Sequence, residues 1–340
     1  MKLIKNIRKN TIIIILITIL VMIMVLKDDF KDIVNTLINL DLKYIFVALI
    51  MLFFYIFLRA YLTYKTVDQK KKFTLLESFK HNVIVQFFNG ITPFSSGGQP
   101  MEVYMLTEHG ISASKSTMYI LQNFIFYQIA LVLFGIGAII YNSIYDIFPK
   151  VPLLQKLVLI GFIANTLVAL GIIFISISKK FTRFCIRTAI YILSKFHLIK
   201  DKEKTKNEWR DRLEEFHECA RDLRKRRKLC ILGVVYNILS LACFYIIPLF
   251  ILYSMSDFKS LSIANTLTSS AYVLLMGAFV PIPGASGGIE YGFLSFFGNF
   301  LSSSRASAVL LIWRFITYYL PMIIGAIIFN IDERKNKKWK

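Results

Sequence analysis

The sequence predicts an all-α protein that crosses a membrane about six times and contains two further helical hairpins that are broken in the middle. Of its 340 residues, 56% are hydrophobic, which is more than one core of a soluble domain of this length can bury. The apolar residues form long stretches, and the basic residues lie between those stretches. Proline and glycine interrupt two of the apolar segments, which predicts the hairpins.

Six apolar stretches are long enough to form spanning helices, for which about 20 residues cross a bilayer core of about 30 Å. They lie near 11–26, 44–64, 113–141, 153–178, 229–255 and 306–330. The first follows a basic N-terminus and resembles a signal peptide. Because no small-residue cleavage site follows it, we expect an uncleaved anchor.

Segments 82–108 and 263–300 are apolar but cannot be continuous helices. The run TPFSSGGQP at 92–100 interrupts the first, and the run PIPGASGG at 281–288 interrupts the second. Proline lacks a backbone donor and clashes with the preceding helical turn, so each run ends a helix. Each segment is therefore expected to be a re-entrant hairpin or a pair of short helices.

The basic residues assign the two sides of the membrane. Four tails and loops together hold 31 Lys or Arg, and these are 1–10, 65–80, 179–229 and 331–340. Four others together hold 6, and these are 27–43, 142–152, 256–262 and 301–305. By the positive-inside rule the first group is cytoplasmic, including both termini. The two hairpins must then enter the membrane from opposite faces.

A shift of 190 residues relates the two hairpins. It places Pro93 on Pro283 and the first glycine pair on the second, while Glu102 and Glu290 each follow their pair by a few residues. With the opposed topology, this shift predicts an inverted repeat with a binding site near the membrane midplane. The alternative is a chance recurrence of common helix breakers.

The repeat divides one transmembrane domain, 1–340, into halves at 11–178 and 229–330. A charged segment at 179–229 joins them, with an apolar stripe at helical spacing in 180–197 that predicts a helix along the membrane surface. A second stripe follows in a strongly charged helix, at Trp209, Leu213, Phe216, Ala220 and Leu223. A simple connection and a dock for lipid headgroups or a partner both remain open for this linker.

Two features of the hairpins suggest an anion site. The glycine pairs can turn backbone N–H groups toward a cavity, and half-helices starting near Met101 and Ile289 would direct their positive ends into it. Arg314 lies about 12 Å inside the last span, too deep to reach water easily. Its partner is Glu290, Glu102 or a substrate phosphate, and we favour the phosphate. Arg59, near the cytoplasmic end of its helix, is expected to reach the membrane surface.

The candidate substrate-binding residues all lie in the broken segments or the last span. They are Gly97, Gly98, Gln99, Glu102, Ser286, Gly287, Gly288, Glu290, Arg314 and Tyr318. No catalytic residue is proposed, because the nucleotide-binding loop and the zinc-protease helix motif do not occur, and Ser286 in the run GASGG at 284–288 has no histidine base near it. The histidines and cysteines lack metal-ligand spacing, so no metal or other cofactor is expected.

Three motifs stand out, namely TPFSSGGQPMEVYML at 92–106, PIPGASGGIEYGFLSFF at 281–297 and WRFITYYLP at 313–321. In this order they resemble the lysylphosphatidylglycerol synthase transmembrane, or flippase-like, family, also called the UPF0104 group. The family includes the membrane half of the multiple peptide resistance factor, a determinant of antibiotic resistance implicated in flipping lysyl-phosphatidylglycerol. Other relatives are associated with polyprenyl-linked sugars or hopanoids. The resemblance implies that five residues line a lipid pathway, namely Gly97, Gly98, Glu290, Arg314 and Tyr318.

The expected function is therefore translocation of an anionic lipid across the cell membrane. One alternative is a membrane component of phosphatidylglycerol lysyltransferase activity, although bifunctional relatives carry a soluble acyltransferase domain and this sequence ends at Lys340. Another alternative is a solute or ion transporter. Anionic membrane lipids are the expected partners, and nucleic acid is not. A homo-oligomer and a separate lipid-modifying enzyme stay open as protein partners.

Overall fold

A computed structural model of the chain describes residues 39–67, 73–195, 202–277, 280 and 282–337. These residues form α-helices with short 3-10 and π turns, and no β-strand occurs among them. Five segments of the described chain are long and apolar enough to cross a membrane. The prediction of an all-α polytopic membrane protein is thus confirmed, whereas the span expected at 11–26 lies outside the described residues.

The helices are numbered in chain order. They are α1 (Leu42–Val67), α2 (Leu75–Gly90), α3 (Gly98–Glu108), α4 (Ala113–Tyr145), α5 (Pro152–Ile177), α6 (Lys179–Lys195), α7 (Lys202–Lys225), α8 (Arg227–Tyr245), α9 (Ile247–Ser254), α10 (Ile263–Gly277), α11 (Gly288–Phe297), α12 (Ser303–Arg314) and α13 (Leu320–Lys337). The candidate spans are α1, α4, α5, α8 with α9, and α12 with α13.

Several expected boundaries differ from the observed ones for local reasons. The span expected at 229–255 is divided into α8 and α9, because Pro248 lies in the first turn of α9 and cannot donate a helical hydrogen bond. A π-helical turn, Phe315–Tyr319, separates α12 from α13. The first hairpin begins at Leu75 rather than near residue 82, because Thr74 and Glu77 form a capping box there.

The first hairpin (α2 and α3) and the second hairpin (α10 and α11) have matching interruptions. Their 3-10 turns are Pro93–Ser95 and Pro283–Ala285, which lie 190 residues apart. The helices that follow the turns, α3 and α11, start at the same offset, and so do α4 and α12. The 190-residue shift predicted from the prolines and glycines therefore extends to the starts of the two helices that follow each break. We call residues 93–97 the first break and residues 283–287 the second break.

The two hairpins open at opposite ends of the helix bundle. The first opens where α1 ends and α8 begins, and there Arg226 donates a hydrogen bond to the Lys65 carbonyl at 3.2 Å. The second opens at the other end, where the amide of Asp41, just before α1, donates to the carbonyl of Ser254 at 2.8 Å. The turns of the two breaks contact each other. The hairpins thus approach from opposite directions and meet at their tips.

The second hairpin belongs to the main apolar core, where the rings of Phe293, Phe296 and Phe297 are fully buried. The linker helix α7 packs Phe216 and Ala220 against Met118 of α4, so part of its predicted stripe serves to connect the halves. The side chains of Trp209 and Leu223 lie outside the described residues.

Candidate functional site

Arg314, at the end of α12, lies in a cluster of groups from the second hairpin. It is 5% exposed. Its Nε donates a hydrogen bond to Glu290 Oε1 at 2.7 Å, and one terminal nitrogen donates to the carbonyl of Gly284 at 3.1 Å. Its guanidinium carbon lies 4.8 Å from the ring centre of Tyr318. Of the two carboxylates considered from sequence, the ion-pair partner is therefore Glu290.

Glu290 also closes the start of its own helix. Its second carboxylate oxygen accepts a hydrogen bond from the amide of Gly287 at 2.6 Å. The hydroxyl of Ser286 donates to the carbonyl of Pro283 at 3.2 Å. A carboxylate in the first turn of a helix also interacts favourably with the positive end of the helix dipole. The second break is thus held by a charged network that ends at Arg314.

Tyr318 joins the two hairpins. Its hydroxyl donates to the carbonyl of Gly90, at the end of α2, at 2.8 Å. Its ring also lies against Gly284, where an added Cβ would overlap the ring and where φ is +64°. Only glycine fits both the contact and the left-handed backbone at that position.

The backbone amides expected to face a cavity are bonded to side chains instead. The Gly97 amide donates to Thr92 Oγ1 at 2.8 Å, and the Gly98 amide donates to Asn89 Oδ1 at 3.0 Å. With Gly287 bonded to Glu290, three of the predicted anion donors are bonded within the chain in this conformation, and their role in binding an anion stays a prediction. The helices start at Gly98 and Gly288, slightly earlier than expected.

A separate polar cavity of about 50 Å³ lies beside the first hairpin. Helices α1, α2, α3, α4 and α8 line it with Arg59, Leu62, Val85, Asn89, Gln99, Glu102, Ile120, Asn123, Phe124, Tyr127 and Asn237. Since one water needs roughly 10–15 Å³ of such space, the cavity has room for a few waters or a small polar group. Two of the sequence candidates, Gln99 and Glu102, lie here and not beside Arg314.

Arg59 lies in this cavity and not at the membrane surface, which corrects the expectation from sequence. It is eight residues from the end of α1, or about 12 Å. Its Nη1 donates to the hydroxyl of Tyr55 at 2.7 Å. Its guanidinium carbon is 5.4 Å from the ring centre of Tyr55 and 5.2 Å from that of Tyr127, so the cation is held between two aromatic rings.

Glu102 faces Arg59 across the cavity and is 9% exposed. The charges of the two residues interact, yet these two described side chains form no direct ion pair. The hydroxyl of Thr63 lies next to the carboxylate. Asn123 donates to Thr63 at 3.1 Å and accepts from Thr66 at 2.8 Å. A polar network thus runs from Glu102 toward the end of α1.

Tyr245, in α8, is a buried polar residue that sequence reasoning missed. Its side chain is fully buried, and its hydroxyl has no hydrogen-bond partner among the described residues. The phenol interacts electrostatically with Tyr55 and Tyr127. Buried hydroxyls are usually bonded, so an unpaired one is unusual, and Tyr245 is not among the residues that line the cavity.

In the described segments, no group of three or more His, Cys, Asp or Glu side chains is placed so that it could hold a metal ion. The arrangement in the cavity, with one cation, one carboxylate and several amides and hydroxyls, is suited to binding an ion or a polar headgroup.

Comparisons with known proteins agree with the motifs. The sequence is 24% identical over 276 residues to a UPF0104 membrane protein of Archaeoglobus fulgidus, covering 76% of this chain and 78% of that protein. It is 23% identical over 269 residues to a Mycoplasma pneumoniae protein named "Uncharacterized protein MG306 homolog", covering 72% of this chain and 66% of that one. The family described as "Lysylphosphatidylglycerol synthase TM region" matches residues 11–325, and the chain therefore belongs to that family.

Proposed function

We propose that this protein is a lipid translocase of the cell membrane that moves an anionic lipid, such as lysyl-phosphatidylglycerol or a polyprenyl-phosphate-linked lipid. Both termini would be cytoplasmic. Membership of the family supports a role connected with membrane lipids. The observation that carries the finer proposal is Arg59, a cation directed into a small polar cavity among apolar spanning helices.

A lipid phosphate suits this cavity chemically. Arginine presents several N–H donors in a plane that matches phosphate oxygens. In the described part of the chain, the Tyr55 hydroxyl is the one hydrogen-bond acceptor of Arg59, so other donors of the guanidinium are available. Arg314 suits this role less well, because a phosphate would have to displace Glu290.

An apolar groove of about 370 Å³ supplies a place for an acyl chain of the same lipid. It lies between α4, α8 and α10 and is lined by Leu133, Phe134, Gly137, Ala138, Tyr141, Ile238, Ala264, Leu267 and Thr268. Tyr127 of the polar cavity and Phe134 and Tyr141 of the groove are spaced by seven residues, so they share one face of α4. A headgroup in the cavity would therefore have its chain directed along that face.

The opposed hairpins provide the pathway in this proposal. Broken backbone is tolerated at membrane depth only where protein or water surrounds it, and meeting hairpins from two sides are typical of sites reached alternately from either face. In this proposal Tyr318, which contacts both hairpins, holds them together in the closed state. Movement of the first hairpin against the second would open the cavity to one side.

The test uses proteoliposomes containing fluorescent phosphatidylglycerol, whose exposure is followed by chemical quenching from outside. Wild-type protein should speed exposure above that of protein-free vesicles. Arg59→Gln should slow it at least about tenfold, because a charge-assisted hydrogen bond contributes roughly 1.5–3 kcal/mol. Arg221→Gln, at an exposed arginine of α7, is the control and should match wild type. No acceleration by wild type with any of several anionic lipids would overturn the proposal.

The groove has its own matched pair of variants. A Cβ added at Gly137 in the groove, or at Gly171 on α5 outside it, meets nothing within 4 Å, so both positions accept a larger residue. Gly137→Trp should fill the groove and slow lipid exposure, whereas Gly171→Trp should leave it unchanged. Equal rates for the two variants would remove the groove from the pathway.

A further inference from the structure

We propose that Glu102 binds a proton together with the lipid phosphate, so that the protein moves the lipid and the proton in the same direction. This inference rests on the proposed function and adds its energy source. It concerns the polar cavity alone, in which Glu102 and Arg59 face each other without a direct ion pair.

Charge balance is the first argument. With Glu102 ionised, the carboxylate and the Arg59 guanidinium give the empty cavity no net charge. A lipid phosphodiester adds one negative charge, and an uncompensated charge in a buried site is costly. If a proton from solution joins Glu102 as the phosphate arrives, the occupied cavity is again neutral. When the lipid leaves on the other side, the proton leaves the carboxyl oxygen with it.

The surroundings of Glu102 fit this role. Its carboxylate forms no direct ion pair, unlike that of Glu290, and the neutral hydroxyl of Thr63 lies next to it. A hydroxyl can accept from a protonated carboxyl or donate to an ionised one, so the contact survives both states. The cavity also has room for the few waters that would deliver the proton.

Few other groups can compete for the proton. From α1 the charged or titratable groups facing the cavity are Arg59 and Tyr55, and from α4 the one such group is Tyr127. From α2, α3 and α8 the polar groups are Asn89, Gln99 and Asn237, which do not titrate. Arginine and tyrosine keep their protons near neutral pH, which leaves the carboxylate of Glu102 as the group that changes state.

The first experiment counts protons. Dihexanoyl phosphatidylglycerol is added to the full-length protein in lightly buffered detergent solution near pH 7, and an indicator dye reports proton uptake. Wild type should take up about one proton for each lipid bound. Its affinity should rise as the pH falls, by up to about tenfold per pH unit for a one-proton linkage. Binding by wild type without proton uptake would overturn the inference, whatever the variants do.

Variants assign the proton to the residue. Glu102→Gln, a neutral mimic of the protonated carboxyl, should bind the lipid without proton uptake and with an affinity independent of pH. Glu102→Asp should retain the uptake. Glu108→Gln, at an exposed carboxylate of the same helix, is the control and should behave as wild type. Equal proton uptake by Glu102→Gln and wild type would overturn the assignment.

The second experiment separates the two proposals in vesicles. An imposed pH gradient should speed the movement of fluorescent phosphatidylglycerol by wild type and by Glu108→Gln. Glu102→Gln should move the lipid at a rate that ignores the gradient. Movement by wild type that also ignores the gradient would end the inference and leave the translocase intact. Absence of any lipid movement or binding would end both.

Discussion

The two hairpins share their backbone plan and differ in what holds them. Both breaks place two consecutive residues in the left-handed region, Phe94 and Ser95 in the first and Gly284 and Ala285 in the second. In the first break, neutral side chains hold the amides that follow. In the second, the carboxylate of Glu290 does so and is itself paired with Arg314.

The carboxylates do not occupy equivalent positions. The shift of 190 residues places Pro100 where Glu290 stands, and Gly292 where Glu102 stands. Glu290 is in the first turn of its helix and caps it, whereas Glu102 is beyond the first turn and faces Arg59. The same architecture therefore has an ion-paired carboxylate, Glu290, in the second half and a carboxylate without a direct ion pair, Glu102, in the first. This difference suggests that the second hairpin is held in place and that the first hairpin takes part in binding.

The largest expected effect on stability comes from breaking the ion pair between Glu290 and Arg314. Arg314→Met leaves the buried carboxylate of Glu290 without its cation, and Glu290→Gln leaves the buried guanidinium of Arg314 without its anion. Each variant should destabilise the protein by roughly 3–5 kcal/mol. The double variant removes both charges and keeps an amide that can still accept from Gly287, so it should recover much of the loss. The apparent melting temperature of detergent-solubilised protein measures all three.

Glu102→Gln is the matched comparison in the first hairpin. It should lower the melting temperature far less than Glu290→Gln, because no direct ion pair is lost. Similar losses for the two glutamate variants, or a double variant as unstable as the sum of the singles, would contradict the difference between the hairpins.

A second test uses the shared left-handed position. Gly284→Ala should destabilise the protein by roughly 2–4 kcal/mol, because Cβ meets the Tyr318 ring and φ is unfavourable. Phe94→Gly, at the equivalent position, should stabilise it by roughly 1 kcal/mol, since it relieves a φ of 54° at an exposed side chain. Denaturation in detergent measures both. If both substitutions changed the free energy of unfolding in the same direction, the backbones of the two breaks would not be equivalent.

Comparison of the sequence-based predictions with the structure shows which features are determined by the local sequence. Proline at matching positions predicted both breaks, and the lengths of the apolar stretches predicted the described spans, because these depend on the chain nearby. The same proline rule, applied to Pro248, would also have predicted the division between α8 and α9. The contacts of Arg59 were not predictable, since its position along α1 does not reveal which residues of other helices face it. The side chain of Asn89 reaches Gly98 only because the hairpin folds back.

The neutral caps of the first break give a smaller expected effect. Thr92 accepts a hydrogen bond from the Gly97 amide and donates to the Phe88 carbonyl. Thr92→Val keeps the shape and loses both bonds, which should cost about 1–2 kcal/mol, whereas Thr92→Ser should retain most of the stability. Thermal denaturation compares the two. If valine and serine are equally tolerated, the cap does not hold the first break.

The smallest expected effect lies where the second hairpin opens, at Asp257 in the loop before α10. Burial raises the pKa of this carboxyl, but hydrogen bonds from Ser260 and Lys259 and the charge of Arg305 outweigh burial and leave the pKa below its usual range. A lowered folded-state pKa contributes stability that is complete above the unfolded value of about 3.9 and is lost as the pH falls through the folded value. Because Arg305 is 53% exposed, its ion pair with Asp257 should contribute at most about 1 kcal/mol.

Asp257→Asn should therefore lower the apparent melting temperature slightly at pH 7, and the difference from wild type should shrink as the pH approaches 3. Asp222→Asn removes an ion pair with Lys225 in which both side chains are 71% exposed, and it should change little at either pH. A difference for Asp257→Asn that widens in acid would reverse the sign of the linkage. The loop would then stabilise the open end of the second hairpin through the protonated carboxyl of Asp257, in contrast to Glu290, whose ionised carboxylate is paired with Arg314.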